Sequence, residues 1–263
     1  MPYCAFCSRS ATLTGEHIWS QWMGKLFPEQ RLVFRKQLAN DPVVRIWETS
    51  SVDLTVKIVC EPCNNGWMSD LEAQHAKPAM QDMILSDRPV LLSAERIYSI
   101  SVFAFKTAVI GYHMERKISP SFPASVFSRS HLRRFATSLR IPAGVQVWIG
   151  CIGTDDPRHG LFRMRYAKTP PGFVNGFKLY ACTFGIGRFV LQLVATEWTK
   201  GSLRRRMVPN VGQNPIWNSM AIPVWPTLGQ AVQWPPSQQM RDDTVNGFSD
   251  RWRRFTVPAV PLR

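Results

Sequence analysis

The sequence has no long apolar run, no internal repeat and no low-complexity tract. Its most apolar helical stretch, roughly residues 97–112, is short for a membrane span and carries Lys106 in its middle. No stretch beside Met1 has the composition of a signal peptide, so we expect a soluble, cytoplasmic protein without a membrane partner. Hydrophobic residues make up 45% and charged residues 19% of the chain, a balance that argues against long disorder.

Acidic residues are scarce in the later part of the chain. Through residue 75 there are 7 basic and 8 acidic residues, whereas the remainder has 25 basic and 10 acidic residues. The later residues therefore account for the net charge of +14. Such a basic body suits a polyanion, most simply nucleic acid, although a merely solvated basic surface has the same composition.

Four of the six cysteines form two Cys-x-x-Cys pairs. Cys4 pairs with Cys7 and Cys60 with Cys63, and 52 residues separate the pairs. Thiolate is a preferred ligand of tetrahedral zinc, and a two-residue spacer lets both sulfurs of one turn meet one ion. Because a reducing compartment favours metal over disulfides, the spacing predicts a structural zinc site.

Hydrophobic spacing predicts the elements around the first cysteines. A turn and short strand lead to Glu16 and His17, and a short helix follows up to Pro28. Alternation over residues 54–59 predicts a strand that delivers Cys60.

Helices are predicted after the second pair. Asn64 is a favourable helix N-cap, and Pro78 is expected to end the helix that follows. Residues 79–92 are expected to form a junction, after which an amphipathic helix runs over about 93–114. Residues 131–140 predict a short basic helix.

The remaining chain is predicted to be mainly β. The glycines of Gly185-Ile186-Gly187 indicate a hairpin turn between two strands, and a tail dense in Pro and Trp is expected to wrap over the sheet. Candidate strands cover residues 145–151, 161–166, 177–184 and 189–196.

The first quarter of the chain resembles the HNH, or ββα-metal, endonucleases, and most closely their zinc-containing branch, which includes junction-resolving enzymes of the endonuclease VII type. That pattern has a cysteine pair, an acidic residue followed by His, and a second cysteine pair followed at once by Asn or His. All parts occur here within residues 1–75 and in that order: Cys4 and Cys7, Glu16 and His17, Cys60 and Cys63, and Asn64.

This resemblance implies a fold and a reaction. The α+β fold would have a zinc-stapled ββα-metal module over residues 1–78, and then a helical segment and a mainly β basic body over 79–263. His17 would be the general base, and Glu16 and Asn64 would hold one catalytic Mg²⁺ or Mn²⁺, distinct from the zinc. The implied activity is phosphodiester hydrolysis, with double-stranded or branched DNA as the expected partner and a 5′ phosphate as the product.

The sequence departs from the family pattern at two places. Thr55 stands where the middle Asn is usual, five residues before the third cysteine. Many relatives have a second metal ligand a few residues into the helix, where this chain has Trp67 and Met68. Glu72 and His75 lie farther along that helix and are weaker candidates.

Each predicted site residue also has a structural interpretation. His17 could bond to the zinc site or be a core histidine, Glu16 could be a capping or surface acid, and Asn64 could only cap its helix. Two alternative functions follow: a non-catalytic, zinc-dependent nucleic-acid-binding protein, and a protein-interaction adaptor that uses its Trp- and Pro-rich tail.

Other residues are predicted to have structural or phosphate-contacting roles. Trp19, Trp22 and Trp67 are expected in the core of the zinc module, and Cys151 and Cys182 are expected as buried thiols. The basic stretches are phosphate-contact candidates or solvated faces: Arg133 and Arg134; Lys200 with Arg204–Arg206; and Arg251 with Arg253 and Arg254.

Overall fold

The fold mixes helices and strands, which confirms the α+β class. Within the part of the chain that the structure describes, no helix is both long and apolar enough to cross a bilayer. The computed structural model describes residues 1–27, 32–38, 44–49, 52, 54–118, 127–153, 161–168, 177–198, 215–226 and 231–251.

Strands and helices are distributed unevenly along these residues. The strands are β1 (Leu13–His17), β2 (Leu32–Leu38), β3 (Val44–Thr49), β4 (Thr55–Cys60), β5 (Val90–Leu92), β6 (Val145–Cys151), β7 (Leu161–Lys168), β8 (Phe177–Ile186), β9 (Phe189–Trp198), β10 (Ala221–Trp225) and β11 (Val232–Trp234). The α-helices are α1 (Gln21–Gly24), α2 (Lys77–Leu85), α3 (Ala94–Ile118), α4 (Arg129–Ser138), α5 (Pro215–Met220) and α6 (Asp242–Asp250).

The predicted strand before Cys60 is β4, and it pairs antiparallel with β1. Leu13 lies opposite Cys60 and His17 opposite Thr55, with a shift in register between Thr14 and Gly15. The two strands therefore place the residue pair Glu16-His17 and the second cysteine pair at opposite ends of one small sheet.

The helix after Cys63 is longer than predicted. Two π-helical segments, Cys63–Met68 and Leu71–Ala76, lead directly into α2. Pro78 does not end the helix, and the predicted junction over residues 79–92 was wrong, because those residues contain most of α2 and all of β5. Pro78 stands where the second π-helical segment passes into α2.

The predicted amphipathic helix is α3, which is buried along most of its length. The hydroxyl of Ser93 accepts the N–H of Arg96 at 3.2 Å and so caps the helix start. α3 contacts α2 and the second π-helical segment as well as β4, β9 and β10. It therefore lies between the cysteine-bearing part of the chain and the large sheet.

One large sheet has the strand order β10-β6-β9-β8-β7-β2-β3. Neighbours are antiparallel except for β2 and β7, which are parallel. Since β2 and β3 come from between the two cysteine pairs, the sheet takes strands from both sides of residue 78. The division into domains at that residue stays a prediction.

The predicted hairpin of β8 and β9 turns at Gly187, which has φ +52°. A Cβ atom on Gly187 would lie 2.4 Å from the carbonyl oxygen of Ile84, so the turn needs glycine for conformation and for space. The N–H of Arg188 donates to the same carbonyl at 3.0 Å. These contacts join the end of α2 to the large sheet.

Two hydrophobic clusters cover the faces of the sheet. The larger one includes α3 and the cysteine-bearing part, and the smaller one includes Trp148, Met240 and Phe248. The described part of the tail is not simply an extended cover, since it forms α5, β10, β11 and α6. β10 pairs antiparallel with β6 at one edge of the large sheet.

Candidate functional site

The four cysteines of the two pairs meet in the fold. One sulfur each from Cys4, Cys7, Cys60 and Cys63 lies within 4.8 Å of the others, and the sulfurs of Cys7 and Cys60 are 3.6 Å apart. Two sulfurs that lie ~2.3 Å from one tetrahedral zinc ion are about 3.8 Å from each other. The cluster therefore has the size of a four-cysteine metal site and is compatible with structural zinc.

Backbone hydrogen bonds shape the first cysteine turn. The N–H of Ser8, which has φ 60°, donates to the carbonyl oxygen of Cys4 at 3.0 Å. The N–H of Ala5 donates to the carbonyl oxygen of Ile58 at 2.8 Å. Because Ile58 belongs to β4, this bond holds the first turn against the strand that ends at Cys60.

The electrostatics of the cluster also suit a cation. The hydrogen bond with Cys63 lowers the pKa of the Cys4 thiol to about 4. The same interaction and burial raise the pKa of Cys63, and burial raises the pKa of Cys60. Negative charge on closely packed sulfurs is what zinc neutralises, so binding would release the remaining thiol protons.

Glu16, His17 and Asn64 line one pocket of about 480 Å³, which we call the candidate pocket. Adjacent residues of a strand point to opposite faces, yet both Glu16 and His17 line this pocket. They are the last two residues of β1 and lie just after the register shift between Thr14 and Gly15. The structure thus brings the three predicted residues together, and their chemical roles stay predictions.

The amide of Asn64 ties the helical region to β1. Its Nδ2 donates to the hydroxyl of Thr14 at 3.0 Å and to the carbonyl oxygen of Gly15 at 3.1 Å. The predicted N-cap role was wrong, because Asn64 lies inside the first π-helical segment, which Pro62 precedes. Both bonds use the amide nitrogen, so the amide oxygen is the atom that could bind a metal.

His17 is half-buried at the end of β1. Its Nε2 lies 3.2 Å from the side-chain nitrogen of Gln21, the first residue of α1. Its backbone pairs with Thr55, the residue that stands in place of the family's middle Asn. The strand pairing and the Gln21 contact therefore hold the histidine at the wall of the candidate pocket.

Sequence patterns do not predict Lys106 as a site residue, because it is a single cation in an otherwise apolar helical stretch. The side chain of Lys106 is fully buried, and its Nζ lies 2.6 Å from Oε1 of Glu16. It also forms an ion pair with Oε1 of Glu72. Burial lowers the pKa of Lys106, but the charges of Glu72 and Glu16 outweigh that effect and raise it. We call Lys106, Glu16 and Glu72 the lysine triad.

The two weaker ligand candidates have different positions. Glu72 lines the candidate pocket, and its side chain is 20% exposed. His75 is exposed and lines a separate pocket of about 190 Å³ with Arg96 and Ser99. The structure therefore brings Glu72, but not His75, to the predicted site.

Two exposed lysines, Lys25 and Lys77, stand among the residues that line the candidate pocket. The carboxylates of Glu16 and Glu72 supply negative charge to the same pocket. The lining of the candidate pocket therefore includes ammonium groups as well as carboxylates and an imidazole.

The basic stretches differ in their surroundings. Arg133 and Arg134 are exposed on α4, as a phosphate-contacting surface requires. Arg251 was wrong as a phosphate-contact candidate: its guanidinium packs on the rings of Trp148 at 4.7 Å and Phe248 at 4.2 Å. Burial there lowers the pKa of Arg251 to about 9. Lys200, Arg204–Arg206, Arg253 and Arg254 lie outside the described residues.

The remaining predictions concern the core. Trp19 is buried, and Trp22 and Trp67 pack against the larger cluster, which confirms their core role. The ring of Trp67 meets Phe6 at 5.3 Å and Phe135 at 5.5 Å, each edge to face. Cys151 and Cys182 are buried thiols as predicted.

Comparisons with protein-family models, with curated proteins and with solved structures find no match to this chain.

Proposed function

We propose that this protein is a metal-dependent endonuclease of the HNH type that hydrolyses phosphodiester bonds in DNA. The observation that carries the proposal is the shared lining of the candidate pocket by Glu16, His17 and Asn64. Glu16 and His17 lie between the two cysteine pairs and Asn64 directly follows the second, which is the order of the HNH pattern. The four-cysteine cluster lies at the other end of the β1–β4 pair, and a metal bound there would stabilise this pair of strands.

His17 would act as the general base. Its imidazole would take a proton from the water that attacks phosphorus, a role for which enzymes use histidine most often. The P–O3′ bond then breaks, the leaving oxygen takes a proton from solvent, and the products are a 5′ phosphate and a 3′ hydroxyl. For this step water must take the place of the Gln21 side chain, which now lies 3.2 Å from the ring.

The other pocket residues would position the substrate and its charge. Oxygen atoms of Glu16 and Asn64 would hold one magnesium or manganese ion, which when bound supplies stabilisation of the negative charge on the phosphate and leaving oxygens. Lys25 and Lys77 would contact neighbouring phosphates, since both are exposed at the same pocket.

The body offers further sites for a polyanion. A second pocket of about 530 Å³ is lined by His131, Arg134 and Arg140 together with Trp225. The described residues that line it include no acidic side chain. Cationic groups beside an aromatic ring are typical of surfaces that bind nucleic acid without reading its sequence.

A second candidate function is non-catalytic binding of nucleic acid by a zinc-dependent module. The observation that favours it is the ion pair of Lys106 with Glu16, which satisfies that carboxylate without a divalent ion. In this case Glu16, His17 and Asn64 would only support the fold.

The test is nicking of supercoiled plasmid by the zinc-loaded protein in magnesium or manganese. The endonuclease proposal expects open-circular DNA whose nicks a ligase seals, because sealing requires a 5′ phosphate and a 3′ hydroxyl. Binding at low salt without nicking in either metal would contradict it and support the second candidate function. Absence of both binding and nicking would leave the adaptor alternative.

A further inference from the structure

Lys106 and its two carboxylate partners come from three different elements of the fold. Lys106 lies on α3, whereas Glu16 is on β1 and Glu72 is in the second π-helical segment. Its side chain is 0% exposed and that of Glu16 is 6% exposed, so the ion pair between them is shielded from water. A buried ammonium is unfavourable unless it is paired, and here two carboxylates share it.

The lysine triad also forms one wall of the candidate pocket. Glu16 and Glu72 line the pocket, and Lys106 lies behind them. Two carboxylates and one ammonium leave this wall with a single net negative charge. Each carboxylate uses Oε1 for the lysine, so the second oxygen is the one left to bind another group.

We infer that Lys106 is a positioning residue. Its ammonium offsets part of the negative charge of this wall, and its ion pair with Glu72 holds that residue in place as the second carboxylate of the site. The ammonium holds both carboxylates in place and weakens the binding of a divalent cation, with which it must share them. This inference rests on the proposed function, because it assumes that a catalytic cation binds in the candidate pocket.

Removal of the Lys106 charge should have an effect on metal binding that the loss of a merely structural ion pair would not have. If Lys106 is replaced by an uncharged residue, Glu16 and Glu72 lose their shared cation, and a divalent ion can take its place. The repulsion between the ammonium and the divalent ion disappears in a partly desolvated place, where such repulsion is strong. Binding of the ion should therefore become tighter, although the protein without it should become less stable.

The test compares binding of Mn²⁺ to Lys106→Met, to the parent chain and to the matched control Lys117→Met. Lys117 lies on the same helix, but it is exposed, and its amine donates to the carbonyl oxygen of Lys57. Binding is measured from the loss of the electron paramagnetic resonance signal of free Mn²⁺, with zinc content checked for each protein. Lys106→Met should bind Mn²⁺ at least about tenfold more tightly than the parent, and Lys117→Met should bind like the parent.

A second variant covers the case in which Lys106→Met does not fold. Glu72→Gln leaves Lys106 paired with Glu16 and removes one negative charge from a side chain that is 20% exposed. It should weaken Mn²⁺ binding at least about tenfold, whereas Glu61→Gln, an exposed glutamate before the first π-helical segment, should not. Parent-like affinity in Lys106→Met or in Glu72→Gln would overturn the inference.

These outcomes are separate from those of the proposed function. A parent protein that nicks plasmid, with Mn²⁺ affinity unchanged in the two variants, overturns the role of Lys106 and leaves the endonuclease. A parent that never nicks, with the two predicted shifts in affinity, supports the lysine triad and contradicts the endonuclease.

Discussion

The side-chain amide of Asn64 donates to the carbonyl oxygen of Gly15 at 3.1 Å and so fastens the segment after the second cysteine pair to the strand that carries Glu16 and His17. A further bond from the same nitrogen reaches the hydroxyl of Thr14 at 3.0 Å. Both acceptors flank the register shift of β1. Asn64 thus stabilises the irregular part of β1 that directly precedes Glu16 and His17.

Replacement of Asn64 should therefore lower the stability of the protein. Asn64→Ala removes two hydrogen bonds at a half-buried place, so we expect the free energy of unfolding to fall by about 1–3 kcal/mol. The measurement is urea denaturation of the zinc-loaded protein. Asn65→Ala, at the exposed neighbour, should change the free energy by less than about 0.5 kcal/mol. Equal effects of the two substitutions would contradict the bracing role.

Loss of one cysteine of the cluster should release the metal. We expect about one zinc ion per chain in the parent, and Cys60→Ser should lose most of it, because three sulfurs leave the tetrahedral shell open. The metal is counted by mass spectrometry after removal of free zinc. Cys151→Ser is the matched control, since Cys151 is also buried but lies outside the cluster. Full zinc in Cys60→Ser would show that the cluster is not the binding site.

His113 should make stability depend on pH. Burial, with smaller contributions from Arg116 and Lys117, lowers the pKa of His113 from 6.5 to about 4. The unfolded chain then binds more protons than the folded chain between these values, so stability is lost as the pH falls through this window. The full difference between the two pKa values corresponds to about 3 kcal/mol in the free energy of unfolding.

Thermal unfolding of the parent and of His113→Gln between about pH 7 and pH 4 tests this expectation. The variant should lose less stability than the parent as the pH falls, because glutamine takes up no proton. Protonation of the cysteines affects both proteins and cancels in the comparison. His75→Gln, at an exposed histidine, should follow the parent. If the parent and His113→Gln lose the same stability as the pH falls, the lowered pKa of His113 is contradicted.

Local patterns were enough to predict several elements. Alternation identified β4 and β6, the glycines of the hairpin turn identified β8 and β9, and helical spacing identified α3. The continuation of the helix through Pro78 was not predictable, since the π-helical turns before it change the hydrogen-bond pattern that normally excludes proline.

Relationships between distant segments were not predictable in the same way. β2 pairs in parallel with β7, which lies more than a hundred residues later, and no local signal specifies that partner. The cysteine cluster was predictable because the two-residue spacer within each cysteine pair is typical of four-cysteine metal sites. The lysine triad was not, because a lysine in an apolar helix signals a buried partner but does not identify it.

The central claim, that His17 is the general base of a nuclease pocket, is tested most directly by plasmid nicking with two matched histidine variants. His17→Ala removes the imidazole from the candidate pocket, whereas His75→Ala removes an exposed imidazole that lines a different pocket. With zinc content equal in all proteins, we predict that His17→Ala nicks at least about a hundredfold more slowly than the parent and that His75→Ala nicks at the parent's rate. A zinc-loaded His17→Ala protein that nicks as fast as the parent would contradict the claim.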